Sequence, residues 1–211
     1  QLTNFITKYT LGGEIKSTKW TSNGDSLSTR FISGDKSVVG SVVLSKFNHL
    51  SPCELGVYNT GQLSSLLSVL GDDVELNLSQ SGDKFISMEF EDTNRKTKSK
   101  YMLSDLSVIP TPPALKNLPD SFELGIKVDP YFVNTFISGK GALADAETFT
   151  ILTENGETKI VIGYASIASN RVTIPVETTK SADIEPISFN ANMFASILNA
   201  NKDCESATLE V

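Results

Sequence analysis

Histidine is almost missing from this chain. His49 is the only one in 211 residues, which removes histidine-based acid–base catalysis and any multi-histidine metal site from consideration. Cysteine is nearly as scarce. Cys53 and Cys204 do not make a disulfide framework and read as reduced thiols of a cytoplasmic protein, although a single bridge between them stays open. No apolar run approaches the roughly 18 residues that a membrane-spanning helix needs, and no signal peptide is visible. No phosphate-binding loop, dinucleotide fingerprint or nucleophile elbow occurs, so the sequence is not expected to be an enzyme and implies no cofactor or metal. Positive charge is in deficit as well. Eighteen Lys and Arg against 25 Asp and Glu give a net charge of -7, which argues against a tight grip on nucleic acid.

What is present is a repeated pattern. In "VYNTGQLSSLLSVLGDDVELNLSQSGDKF", Asn59 is a candidate N-cap and Leu63, Leu66, Leu67 and Leu70 fall on one helical stripe. Gly71 is a reasonable stop, "VELNLSQ" alternates as a strand, and "SGDK" turns into a second strand. A second copy starts at "ELGIKVDPYFVNTFISGKG". Asp129 caps it, Pro130 takes the first helical position, and Phe132, Val133, Phe136 and Ile137 form the stripe. "FTILTENGETKIVIGYA" then reads as strand, Asn155–Gly156 turn and strand. A third copy is capped by Asn190, with Phe194, Ile197 and Leu198 each 131 positions beyond Leu63, Leu66 and Leu67. A fourth opens the chain with Leu2, Phe5, Ile6 and Tyr9, followed by a turn at Gly24.

This order predicts an α+β protein of two similar domains, each with two helices packed on one face of antiparallel sheet. The expected boundaries are 1–106 and 121–211, joined by a connector over 107–120 in which Pro110, Pro112, Pro113 and Pro119 resist regular structure. The start on Gln rather than Met leads to an expectation of residues ahead of Gln1. The third copy lacks its hairpin, so a continuation past Val211 is also expected.

The helix faces carry the most unusual absence. Segments 1–9, 59–70, 130–140 and 190–202 hold no Asp or Glu, where the chain's composition predicts about five. Opposite the apolar stripes lie Asn4, Thr7 and Lys8, then Gly61, Ser65 and Ser68, then Tyr131, Asn134 and Ser138, then Asn192, Ser196 and Asn199. Lys8, Lys140 and Lys202 supply the only charge in these segments. Small neutral side chains suit a surface that meets a polyanion through water and without sequence preference. The bland account is that the helices are covered on both sides, or are Ser- and Asn-rich by drift.

From about Glu54 onward, the quoted repeats and the connector resemble the DNA polymerase sliding clamp of T-even-type tailed phages. The resemblance rests on capped apolar helices, turns and strands rather than on a catalytic signature, and it is weaker over residues 1–50. It implies a DNA-clamp fold: a homotrimeric ring whose helices line a hole threaded by duplex DNA, linked topologically and without sequence preference. The ring would tether the DNA polymerase, bind the clamp-loader complex, and act in the cytoplasm of an infected host cell. The DNA-facing residues it implies are Lys8, Asn4, Thr7, Ser65, Ser68, Asn134, Ser138, Lys140, Asn192, Ser196, Asn199 and Lys202. A partner-peptide pocket is implied at Leu106, Val108, Ile109 and Pro110, with the bland alternative that these residues pack the connector on its own sheet.

Two features sit less easily in that picture. Three lysines are few for a DNA-lined hole. The basic run "NRKTKSK", whose Lys96, Lys98 and Lys100 share one side of a strand, reads more simply as a solvated edge. Trp20 is assigned to the core or to a subunit interface. The rival reading of the whole chain is a β-rich phage structural module with no role at DNA.

Overall fold

Short capping signals place three of the four helices. The computed structural model describes residues 1–114, 121–165 and 169–211. Helix α1, Leu2–Thr10, buries Phe5, Ile6 and Tyr9 and ends where Leu11 turns left-handed at φ 47°. Helix α2, Thr60–Ser68, starts at Asn59, whose Oδ1 accepts from the Gln62 N–H at 3.0 Å. Helix α3, Pro130–Ala142, is capped by Asp129, which accepts from the Phe132 N–H at 2.8 Å. Helix α4, Ala191–Ala200, is capped by Asn190, which accepts from the Met193 N–H at 2.8 Å.

The chain divides into two compact units, Gln1–Ala114 and Leu115–Val211. Of the expected connector, residues 107–114 therefore group with the first unit, and residues 115–120 lie outside the described residues. In the first unit α1 is followed by β1 (Thr18–Ser22), β2 (Ser26–Ile32), β3 (Val39–Ser45) and β4 (Cys53–Val57). After α2 come β5 (Val74–Ser81), β6 (Lys84–Asp92) and β7 (Lys98–Met102). The second unit opens with β8 (Gly125–Val128) and α3. Then come β9 (Thr148–Glu154), β10 (Glu157–Ile162), β11 (Val172–Pro175), β12 (Thr178–Lys180), β13 (Ile187–Asn190), α4 and β14 (Ala207–Glu210).

The fold is α+β, with four antiparallel sheets. The expectation of one sheet per domain needs correction, because each unit builds two. The first unit has sheets ordered β3-β2-β1-β4 and β5-β6-β7; the second has β11-β10-β9-β13 and β12-β8-β14. The two four-stranded sheets share one plan: the three strands after the first helix form a meander, and the strand before the second helix joins beside the first of them. Adjacent strands read as one sheet in sequence because alternation reports which face a residue takes, not which sheet its strand enters.

The turns obey local chemistry. Asn155 and Gly156, at φ 54° and 78°, give the two-residue β9–β10 hairpin its double positive-φ turn. Gly82 at φ 61° starts the β5–β6 turn.

Aromatic side chains fill both cores. Trp20 is fully buried, its indole N–H donates to the Tyr9 hydroxyl at 3.1 Å, and Phe5 meets both rings edge-on. In the second unit Phe194 packs between Phe136 and Phe149, with ring centroids 4.9 and 4.7 Å away. Trp20 is thus a core residue. Burial also pushes the Tyr9 hydroxyl pKa well above its ordinary value. Both cysteines are free thiols.

The α2 stripe departs from expectation. Leu63 is fully buried, whereas Leu66, Leu67 and Leu70 are half-buried. The helix ends at Ser68, ahead of Gly71, and the Gly71 N–H donates instead to the Asp92 carboxylate at 2.8 Å. Among the described residues, no helix is long and apolar enough to cross a membrane.

Candidate nucleic-acid interface and connector pocket

The four helices contain no Asp or Glu, as the bounds of each confirm. Asn4, Thr7, Ser65, Ser68, Asn134, Ser138, Asn192, Asn199 and Lys202 are exposed, and Lys8 and Ser196 are half-buried. The helices are therefore not covered on both sides within their own units.

Lys140 is a correction. It is only 8% exposed, and its ammonium donates to the Ala144 carbonyl at 2.7 Å and, more weakly, to that of Leu143 at 3.5 Å. The helix runs on to Ala142, so Lys140 falls in the last turn, where a cation satisfies carbonyls left without intrahelical partners. It is withdrawn from the outward face.

In the first unit, α1 and α2 both contribute to one groove, Thr7 and Gly61 from their outward faces. A cavity of about 740 Å³ is lined by Thr7 and Thr10 from α1, by Thr60, Gly61 and Ser64 from α2, and by Lys16, Ser17 and Tyr58. Among the described residues, Lys16 is the only charged one on its wall. Sequence reasoning named Thr7 and Gly61 and missed Lys16, Ser64 and Tyr58. Lys16 lies outside any helical period. What fixes its backbone here is nonlocal: its carbonyl accepts from both the N–H and the hydroxyl of Thr60, at 2.9 and 3.1 Å.

In the first unit the outward hydroxyls of α1 and α2 are already engaged. Thr7 donates to the Thr3 carbonyl at 3.0 Å, Ser65 to that of Gly61 at 3.0 Å, and Ser68 to that of Ser65 at 2.8 Å. Such back-bonding occupies the proton that a phosphate oxygen would need. Switching it to a phosphate gives up a bond of about 1 kcal/mol, so water-bridged contact is favoured over a direct grip.

The connector forms the second candidate site. Asp105 Oδ1 accepts from the Ser107 N–H at 3.0 Å and starts a 3₁₀ turn over Leu106–Val108. Its other oxygen pairs with the Lys84 ammonium at 2.7 Å, and that contact holds the Asp105 carboxyl far below the usual carboxylate range. The guanidinium of Arg30 donates to the Pro113 carbonyl at 2.6 Å and fastens the connector over β2. Between connector and sheet lies a cavity of about 300 Å³. Leu106, Ile109, Pro110 and Pro112 line it on one side, and Lys19, Arg30 and Glu54 on the other.

Of the four residues expected there, Leu106, Ile109 and Pro110 line the cavity. Val108 is 56% exposed and is not among the lining residues. Ile109 is only 5% exposed, so it contributes a floor more than an accessible wall. Arg30 and Lys19 were missed because they come from strands far away in sequence.

The basic run resolves into ion pairs. Lys98 meets Glu91 at 2.9 Å and Lys100 meets Glu89 at 2.8 Å, cross-strand partners in the β6–β7 ladder. Lys96 is not on the strand; it sits in the preceding turn at φ 58°. Lys100 lowers the Glu89 carboxyl pKa and Lys98 that of Glu91. Two of the run's cations are therefore matched locally.

Among the described residues, no group of three His, Cys, Asp or Glu is placed to hold a metal ion. No protein-family model matches the chain, and no curated protein matches it at a significant level.

Proposed function

We propose that the chain is a protomer of a sliding clamp, a homotrimeric ring that encircles duplex DNA and tethers a DNA polymerase. One observation carries the reading: four helices that contain no carboxylate, in two units whose four-stranded sheets share one plan, within a chain that is acidic elsewhere. The groove in the first unit places one lysine, Lys16, beside neutral hydroxyls. Few cations and back-bonded hydroxyls suit a lining that guides DNA without holding it, since affinity for duplex grows with the number of phosphates neutralised. Retention then comes from topology. DNA-facing roles go to Asn4, Thr7, Lys8, Ser65, Ser68, Asn134, Ser138, Asn192, Ser196, Asn199 and Lys202, with Lys16 added and Lys140 removed. The cavity under the connector is the docking place for short peptides of the polymerase and the clamp loader, anchored at Leu106 and Pro110.

The test joins mass to topology. Native mass spectrometry should give three times the 22.8 kDa protomer. After loading, the protein should stay on closed circular DNA and leave when the circle is cut. A monomer at all concentrations, or equal retention on linear and circular DNA, would point to the rival reading as a structural module.

A further inference from the structure

Asparagine is followed by glycine at two places, Asn23–Gly24 and Asn155–Gly156. Both pairs sit in turns between antiparallel strands, β1–β2 and β9–β10, and both asparagines are exposed. Such a pair is open to one internal reaction. The glycine nitrogen can reach the asparagine side-chain carbon, because no Cβ stands in the way. The two turns treat that reaction differently.

At Asn23 the reacting groups are tied. Its Oδ1 accepts from the Asp25 N–H at 2.9 Å, the Ser26 N–H at 2.8 Å and the Ser26 hydroxyl at 3.1 Å. The attacking nitrogen is engaged as well, since the Gly24 N–H donates to the hydroxyl of the buried Ser22 at 3.2 Å. The Pro52 ring comes within 3.6 Å of where a Cβ on Gly24 would stand. At Asn155 none of this applies. Among the described residues, neither the Asn155 carboxamide nor the Gly156 N–H has a hydrogen-bond partner. A Cβ on Gly156 would meet nothing within 4 Å.

We propose that Asn155 is a site of spontaneous deamidation and that the fold shields Asn23 from the same reaction. The Gly156 nitrogen gives up its proton to solvent and attacks Asn155 Cγ. A bond forms between that nitrogen and Cγ, the Cγ–amide bond breaks, and ammonia leaves with a proton taken back from water. A second water then opens the cyclic imide at either carbonyl, which leaves aspartate or isoaspartate. The sum is one water consumed and one ammonia released, with no oxidation or reduction. Either product sets a third carboxylate beside Glu154 and Glu157, which share Lys159 at 3.7 and 3.8 Å. Isoaspartate also adds a methylene to the backbone of a two-residue turn, whose geometry depends on positive φ at both positions.

The test follows the two sites side by side in the 211-residue chain. The protein is aged in mildly alkaline buffer, with and without urea, and its proteolytic fragments are resolved by mass spectrometry. In the folded chain Asn155 should convert at least about tenfold faster than Asn23, because the bonds around Asn23 must open before attack. In urea the two rates should come together. The fragment holding Asn155 should separate into aspartate and isoaspartate forms, and Asn155→Gln should leave that fragment unchanged in mass. Equal rates in the folded chain, faster conversion at Asn23, no conversion at either site, or the same difference in urea would each overturn the proposal.

Discussion

β4 and β13 hold the same place in two sheets of the same plan, yet they meet different surroundings. Leu55, Gly56 and Val57 of β4 are buried, whereas all four residues of β13 are exposed, Ile187 and Phe189 among them. The cover over β4 comes from chain that returns after α2. In the first unit three strands return after α2, and Ser104 then bridges to Gly56, its N–H donating to the Gly56 carbonyl at 2.9 Å. A strand's position in a sheet fixes its neighbours within the sheet. Its burial is decided by chain laid across it later.

Gly56 offers the sharpest way to break this comparison. A Cβ there would run into the Ser104 carbonyl oxygen, and Gly56 corresponds by the 131-residue spacing to Ile187, which carries a full side chain without obstruction. Gly56→Ala should cost about 1–3 kcal/mol, the usual range for forcing extra atoms into packed structure. Ile187→Gly should cost about 1 kcal/mol or less, mostly through backbone freedom. Urea denaturation of the two variants gives both numbers. If Ile187→Gly proves the costlier, β13 is covered in solution and the contrast fails.

The helix caps should behave alike where the strands differ. Asn59→Ala and Asn190→Ala each remove one side-chain acceptor from a helix N-terminus, at a cost of about 1 kcal/mol apiece. Chemical denaturation read by circular dichroism checks the equality. A cap that costs nothing would mean that its helix is held by packing alone.

Acid should produce the smallest effect and the most local one. Glu89, Glu91 and Asp92 on β6 all have carboxyl pKa values below the ordinary range. Lys100 and Lys98 are the main causes for the first two, and backbone N–H donors, Arg95 first, for the third. A carboxyl depressed in the folded state adds stability above its unfolded pKa of roughly 4 and loses it as the pH falls through the folded value. Below about pH 4 the β5-β6-β7 sheet should therefore loosen before the β12-β8-β14 sheet, where, among the described residues, Lys127–Glu177 is the ion pair present. Amide exchange measured from pH 5 downward separates the two sheets. Simultaneous loosening would show that the exposed pairs contribute nothing, as many surface pairs do.

What could be read in the sequence was what depends on near neighbours. Asn59, Asp129 and Asn190 each bond an N–H three residues on, and they were legible as caps for that reason. The Asn155–Gly156 turn was legible because so few residue pairs accept positive φ twice. Phe132, Val133 and Phe136 announced a buried stripe and are buried. The rest depends on distant chain. Leu67 shares the α2 stripe with Leu63 and is only half-buried, and whether Lys140 reaches solvent turns on two more residues of helix. The cavity under the connector needs Arg30 and Lys19 from β2 and β1, and no local pattern marks them.

The hydroxyls of Thr7, Ser65 and Ser68 point to a last consequence, one of friction. Resistance to motion along a surface grows with the number of bonds that must break at each step. A helix that spends its own protons on its own backbone leaves a passing charged chain little to catch on. Drag on such a chain would then be set by the viscosity of the intervening water rather than by the protein.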